Sequence, residues 1–269
     1  KGKTVFITGA SRGIGREFAL VAARDGANVV VAAKSAAENG KLAGTIFSVA
    51  EEIEQAGGKA LAIQLDVRDE NAVAAAMKQA ADHFGGIDIL INNAGAIRLV
   101  GVENLEPKRF DLMYQINTRA VMVCSQAALP YLKKSKNPHI INLSPPLNLD
   151  PKWFAAYGPY TTTKYGMSML TLGMSEEFAS YGISVNSLWP RTIIATAAVE
   201  HEVGGRDLFK HARKPTIMAD AAYQIMISEN RSLTGRLLVD EELLRERGVT
   251  DLEKYREEPG DAKLMVDLF

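Results

Sequence analysis

The feature that most constrains this chain is the run Lys3-Thr-Val-Phe-Ile-Thr-Gly-Ala-Ser-Arg-Gly-Ile-Gly15, a short apolar stretch that breaks into a glycine-rich turn. Val5 to Ile7 are apolar and largely β-branched, as a buried strand requires, while Arg16 to Arg24 place Phe18, Ala19 and Ala22 at helical spacing. The turn therefore joins a strand to a helix. Gly9 permits a tight reversal, Gly13 lets the backbone approach a bulky anion, and Gly15 lets helix and strand pack closely, because none carries a Cβ. The helix then opens on unpaired N–H groups at its positive dipole end, which favour a pyrophosphate. Gly9, Ala10, Ser11, Arg12, Gly13, Ile14 and Gly15 are accordingly the candidate phosphate-side residues of a dinucleotide site. Their spacing, Gly-x-x-x-Gly-x-Gly, differs from the commoner Gly-x-Gly-x-x-Gly.

Further apolar runs at Asn28–Ala33, Ala60–Leu65, Ile87–Ile91, His139–Leu143, Ile183–Leu188 and Leu237–Val239 alternate with helical patterns such as 47–55 and 70–83. A polar, glycine-containing segment fills 35–46. This alternation predicts an α/β fold, a doubly wound parallel sheet (Rossmann-like) in a single domain, with ligands at the carboxyl ends of the strands. Lys34 ends the second strand, where an acidic residue would bind the adenosine ribose hydroxyls. A cation there, with Arg12 in the turn, suits a 2′-phosphate and predicts NADP(H) as cofactor. Asp66-Val67 ends the third strand, placed to offer a carboxylate to an adenine amino group.

A chain of 269 residues, 47% hydrophobic, can bury one substantial core. Its net charge of −1 provides no global field to hold a nucleic acid or an anionic membrane. Cys124 is the single cysteine and the histidines are scattered, so no disulfide framework or metal cluster is expected. No apolar run reaches the roughly 18 residues of a membrane span, so no membrane insertion is expected and a cytoplasmic protein is the default.

Tyr160 and Lys164 fall one helical turn apart on one face, where an ammonium would stabilise the phenolate and lower the phenol's pKa. In isolation such a pair is more often ordinary helix surface. Its companions change that reading. Thr8-Gly-Ala-Ser-Arg-Gly-Ile-Gly15, Asp66-Val67, Asn92-Asn93-Ala94-Gly95, Asn117, Asn142-Leu-Ser144, Tyr160-Thr-Thr-Thr-Lys164, and Val185-Asn186 with Pro190 together resemble the short-chain dehydrogenase/reductases, over roughly Lys3 to Val239. The resemblance implies hydride transfer between a nicotinamide and an alcohol or carbonyl of a small or lipid-like substrate. Tyr160 would exchange the proton, Lys164 would also hold the nicotinamide ribose, and Asn117 would anchor a water linking the lysine to solvent. Asn93, Ala94 and Gly95 would line the adenosine side, and Ile193 would touch the carboxamide. It also implies a homodimer or homotetramer built on the apolar helix 163–178 and the helix containing Asn117, and a substrate lid over 195–218. A nucleotide-sensing protein of the same fold, with little turnover, is the alternative.

Three places depart from the family pattern. Arg191 follows Pro190 where glycine is usual, so glycine's conformations are lost on the nicotinamide side. Pro145 replaces the serine that polarises the substrate oxygen, and proline has neither hydroxyl nor N–H. Ser144 is the candidate to take that role, with Asn148 in reserve. Lastly, 241–269 extends beyond the usual end, and its mixed charge predicts a helix and tail packed on the domain or on a neighbouring subunit.

Overall fold

A computed structural model describes residues 1–37 and 43–268; the middle of the polar 35–46 segment therefore lies outside the described residues. Seven strands, β1 (Thr4–Thr8), β2 (Asn28–Ala33), β3 (Lys59–Gln64), β4 (Ile89–Asn92), β5 (His139–Asn142), β6 (Ser184–Trp189) and β7 (Leu237–Val239), form one sheet. The order is β3-β2-β1-β4-β5-β6-β7 and each pairing is parallel. Parallel strands covered on both faces must be apolar almost throughout, and β1 and β2 are buried along nearly their whole length.

Helices α1 (Gly13–Arg24), α2 (Ile46–Gln55), α3 (Glu70–Phe84), α4 (Pro107–Tyr114), α5 (Ala120–Leu132), α6 (Lys152–Ala155), α7 (Gly158–Glu177), α8 (Thr216–Met226) and α9 (Asp240–Glu246) fill the connections. Two cores result. On one face Phe18, Val49, Ile217 and Leu243 from α1, α2, α8 and α9 cover Val5, Val29 and Ile141. On the other, Met77, Cys124 and Met167 from α3, α5 and α7 cover Phe6, Val30 and Ile140. Cys124 is buried and its thiol pushed up to about 12 by desolvation, which suits a packing residue. Among the described residues no helix is long and apolar enough to cross a membrane.

The chain reverses its direction of travel across the sheet between β1 and β4, which opens a crevice at the carboxyl ends of those strands. Helix α1 begins at Gly13, three residues earlier than its apolar pattern, because the glycines of the turn themselves enter the first helical turn. Beyond β7 the extension stays on the same chain. Leu243 and Leu244 of α9 are buried, the Tyr255 hydroxyl donates to Asp220 at 2.5 Å, and residues 263–268 return to the carboxyl end of β6.

Candidate active site

The glycine turn is held by its neighbour strand. Asn93 Nδ2 donates to the carbonyls of Thr8 and Gly9, both at 2.9 Å, and the backbone N–H groups of Asn93 and Ala94 donate to Thr8 Oγ1 at 3.1 and 3.0 Å. Asn93 thus ties β1 to β4 with its side chain. Gly9 has φ +68°, a conformation that favours glycine, and a Cβ on Gly15 would lie 2.5 Å from both Gly9 O and Asn93 Nδ2. Two of the motif's glycines are therefore required by protein packing alone. The residues fit a dinucleotide's pyrophosphate: α1 opens after an extended Arg12 with no side-chain cap and no acid in its first turn, leaving its N-terminal N–H groups for an anion. Ala10 and Ser11 are buried, and Ile14 is partly buried against the core below. Thr196 of the 195–218 segment closes over Gly13, its Cγ2 3.4 Å from where a Cβ would stand.

Around the second and third strand ends the charges are already paired. Lys34 Nζ lies 3.2 Å from Asp66 Oδ2, and Arg68 makes a fork on the same carboxylate, Nε at 3.0 Å to Oδ1 and Nη2 at 2.6 Å to Oδ2. Arg68, with help from Lys34, holds the Asp66 carboxyl well below the usual carboxylate range. The sequence reading missed Arg68, although Asp-x-Arg after a strand end is a recoverable signal. Arg12 donates to the carbonyls of Ala43 and Gly44 at 3.1 and 2.9 Å, and Val67 is buried in the core.

The structure brings Gly95, Asn117, Tyr160 and Lys164 together. Asn117 sits in a π turn, Gln115–Arg119, between α4 and α5, an irregularity frequent at functional sites. Its amide is held by three bonds on the protein: Nδ2 donates to Ala96 O and Thr163 Oγ1, both at 2.9 Å, and Oδ1 accepts from Ala96 N at 2.8 Å. A Cβ on Gly95 would lie 3.5 Å from Asn117 Oδ1 and 3.7 Å from Lys164 Nζ. Lys164 Nζ donates to Leu143 O at 2.9 Å and stands 5.3 Å from the centre of the Trp189 ring. Below them Asn92 donates to Asn142 and Asn142 to Thr171, each at 2.8 Å, which fixes the ends of β4 and β5 against α7.

Tyr160 and Lys164 are both buried. Desolvation pushes the Lys164 ammonium down to about 8, opposed by the negative charge of Asp267. For Tyr160 the sequence reading expected a lowered phenol pKa. Here it is raised, by burial first and the Asp267 charge second, so the phenol holds its proton.

The loop after β5 carries the departures. Ser144 is fully buried, and its hydroxyl is without a hydrogen-bond partner among the described residues. Pro145 O accepts from Ser168 Oγ at 2.6 Å. The Tyr165 hydroxyl clamps Asn148, donating to its carbonyl at 2.7 Å and accepting from its N–H at 3.1 Å. Asn148 lines a cleft of about 460 Å³ with Leu147, Trp189, Arg191, Val266 and Asp267. Arg191 is held by the extension: its N–H donates to Asp240 Oδ1 at 2.8 Å and its side chain pairs with Glu242. Ile193 is buried, its N–H donating to Met265 O and its carbonyl accepting from Arg213 N, both at 3.0 Å.

Comparisons with known proteins agree with this fold. The short chain dehydrogenase family pattern matches residues 3–204. Hydroxysteroid dehydrogenase-like protein 2 of Xenopus laevis is 56% identical over 268 residues, which is 100% of this chain and 63% of that protein. The chain thus spans less than two thirds of the curated relatives it matches. A short chain dehydrogenase from Mycobacterium thermoresistibile is 49% identical with a TM-score of 0.94, covering 100% of this chain and 95% of its own. A metagenomic short-chain oxidoreductase crystallised with NADP is 27% identical, with a TM-score of 0.73 over 89% of this chain and 96% of its own.

Proposed function

The chain belongs to the short-chain dehydrogenase/reductase family, whose members use nicotinamide cofactors, and we propose that it is an NADP(H)-dependent oxidoreductase acting on an alcohol or carbonyl of a small or lipid-like substrate. The observation that carries this reading is the buried Tyr160–Lys164 pair beside Gly95 and Asn117, at the end of the crevice that starts at the glycine turn. The cofactor, when bound, supplies or accepts the hydride at the nicotinamide carbon.

Gly9 to Gly15 would hold its pyrophosphate, Asn93 to Gly95 and Asp66-Val67 its adenosine side, and Lys164 and Ile193 its nicotinamide half. A phenol that keeps its proton is suited to donate it to the oxygen of a carbonyl as that oxygen gains charge. Lys164, fixed on Leu143 O, keeps a cation one turn from that phenol and favours the phenolate left behind. Asn117 orients the site by bonding Ala96 and Thr163 at once. The substrate oxygen would be polarised by Ser144, whose buried hydroxyl has bonding capacity to spare, with the Asn148 amide in the cleft as the reserve.

For the choice of cofactor, Lys34 would turn from Asp66 to a 2′-phosphate while Arg68 stays on the carboxylate, and Arg12 would add a second cation. The exposed Met122 of α5 and Met169 and Leu172 of α7 support a homodimer or homotetramer through those helices. The deciding experiment is a screen of ketones and aldehydes with NADPH and with NADH. Tyr160→Phe should keep cofactor affinity and lose turnover by about 10² or more. NADPH should bind about tenfold tighter than NADH, roughly 1.4 kcal/mol, with the preference lost in Lys34→Ala. Normal turnover in Tyr160→Phe would reject the mechanism, and cofactor binding without turnover on any carbonyl would favour a nucleotide sensor.

A further inference from the structure

Residues 263–268 lie outside the part of the chain that the family pattern matches, yet they form one wall of the cleft. Hydrogen bonds to several elements hold them. Ile193 N donates to Met265 O and Asp267 N to Arg191 O, both at 3.0 Å, making an antiparallel bridge between Thr192 and Val266. Met265 N donates to His211 O at 2.9 Å, and Trp189 Nε1 donates to Leu268 O at 2.9 Å. Trp189 is also the ring beside the Lys164 ammonium, so one indole touches both the segment and the catalytic helix. Leu268 N donates to Asp267 Oδ1 at 2.6 Å, folding the carboxylate back beside this anchor.

The groups around Asp267 come from three places: Lys164 and Tyr160 of α7 and Asp240 at the start of α9 interact with it electrostatically, and Arg191, just past β6, accepts its N–H through a backbone carbonyl while its own guanidinium is paired with Glu242. Asp240 is fully buried and already accepts from Arg191 N and Glu241 N. A buried ammonium needs a counter-charge, and a single carbonyl bond from Lys164 to Leu143 supplies only a dipole.

Resting on the reading of Tyr160 and Lys164 as the proton-handling pair, we propose that Asp267 is a positioning residue of the active site, the carboxylate by which segment 263–268 keeps Lys164 charged in its desolvated setting. Desolvation raises the Asp267 carboxyl to about 7 and the Lys164 charge pulls it back, so the two groups sense one another near neutrality. The segment therefore does two things at once: it walls the cleft and it brings a negative charge to the end of α7 that carries Lys164, whereas the helix's own carboxylates, Glu176 and Glu177, are at its far end.

The test uses the full chain with lysine labelled at Cε and no substrate. In Asp267→Asn the Lys164 resonance should titrate at least about half a pH unit lower than in the parent, threefold in its protonation equilibrium. An unchanged midpoint in the folded variant overturns the proposal, even if the variant melts earlier, because a purely structural role would lower stability without moving Lys164. Should the variant fail to fold, the parent alone decides: the Lys164 resonance must show a second inflection as Asp267 ionises, and a single-step titration overturns the proposal. Failure of the underlying reading looks different, since Tyr160→Phe would then retain turnover whatever Lys164 does.

Discussion

The turn after β1 and the loop after β5 both lie at strand ends on the same crevice, and they are built on opposite principles. In the first, backbone touches backbone: a Cβ on Gly15 would stand 2.5 Å from Gly9 O, and Asn93 bonds two carbonyls of the turn. Side-chain identity there is dictated by space. In the second, and in the neighbouring turns after β6 and β7, side chains carry the chemistry, and Ser144-Pro145 and Arg191 stand where the family pattern expects other residues, while Ser168, Tyr165 and Asp240 pin these segments. A site can thus be rigid in its scaffold and variable in its reagents.

Exchanging the reagents should separate activity from stability most sharply. Ser144→Ala is expected to leave thermal stability unchanged or slightly raised, because the hydroxyl it removes is buried without a partner, while kcat falls by about 10² to 10³, the cost of one oxyanion donor. Turnover within threefold of the parent would move the role to Asn148 and weaken the contrast.

Acidity probes the same loops. Desolvation raises Asp240 from 3.8 to about 7, so the native state binds its proton more tightly than the unfolded chain. Its contribution is fully present below about pH 4 and is lost as pH rises to about 7. In Asp240→Asn, whose Oδ1 can still accept from Arg191 and Glu241, unfolding free energy measured in denaturant should lose up to about 1.4 kcal/mol of dependence per pH unit across that window. Asp66, depressed by Arg68, runs the other way, helping above its unfolded pKa and losing effect in acid. Parallel curves for Asp240→Asn and the parent would deny that the second region stores this cost.

In the first region, Gly15→Ala should destabilise by about 1 to 3 kcal/mol and weaken dinucleotide binding, since neither the Gly9 carbonyl nor the Asn93 clamp can move aside cheaply. Isothermal titration with NADPH and a denaturant melt would both report it. The smallest effect is expected from Tyr165→Phe, about 1 kcal/mol, through loss of the Asn148 clamp. A loss as large as that of Gly15→Ala would erase the distinction between the two regions.

The same contrast explains what could be read from sequence. Strand positions and the glycine turn were legible because burial on both faces demands continuous apolar runs and close approach demands glycine, whereas the strand order that sets the switch point came only with the fold. That Tyr160 and Lys164 share a helix was legible from their spacing, and their candidacy from the companion motifs, but the direction of the phenol's shift was not, since desolvation depends on what covers the helix. Asp267 offered no local signal at all. Its contacts with Arg191 and its field at Lys164 join residues from opposite ends of the catalytic half, and only folding brings them together. Arg68 lies between these cases, two residues from Asp66 and recoverable with attention to strand ends.

The return of residues 263–268 also bears on how the protein is made. Synthesis delivers the last strand, β7, with Val239, and by then every neighbour of the sheet is present. The wall that faces Trp189 and Asn148 is still to be translated. The sheet is thus complete in sequence by Val239, whereas the cleft gains one of its walls only from a segment further along the chain.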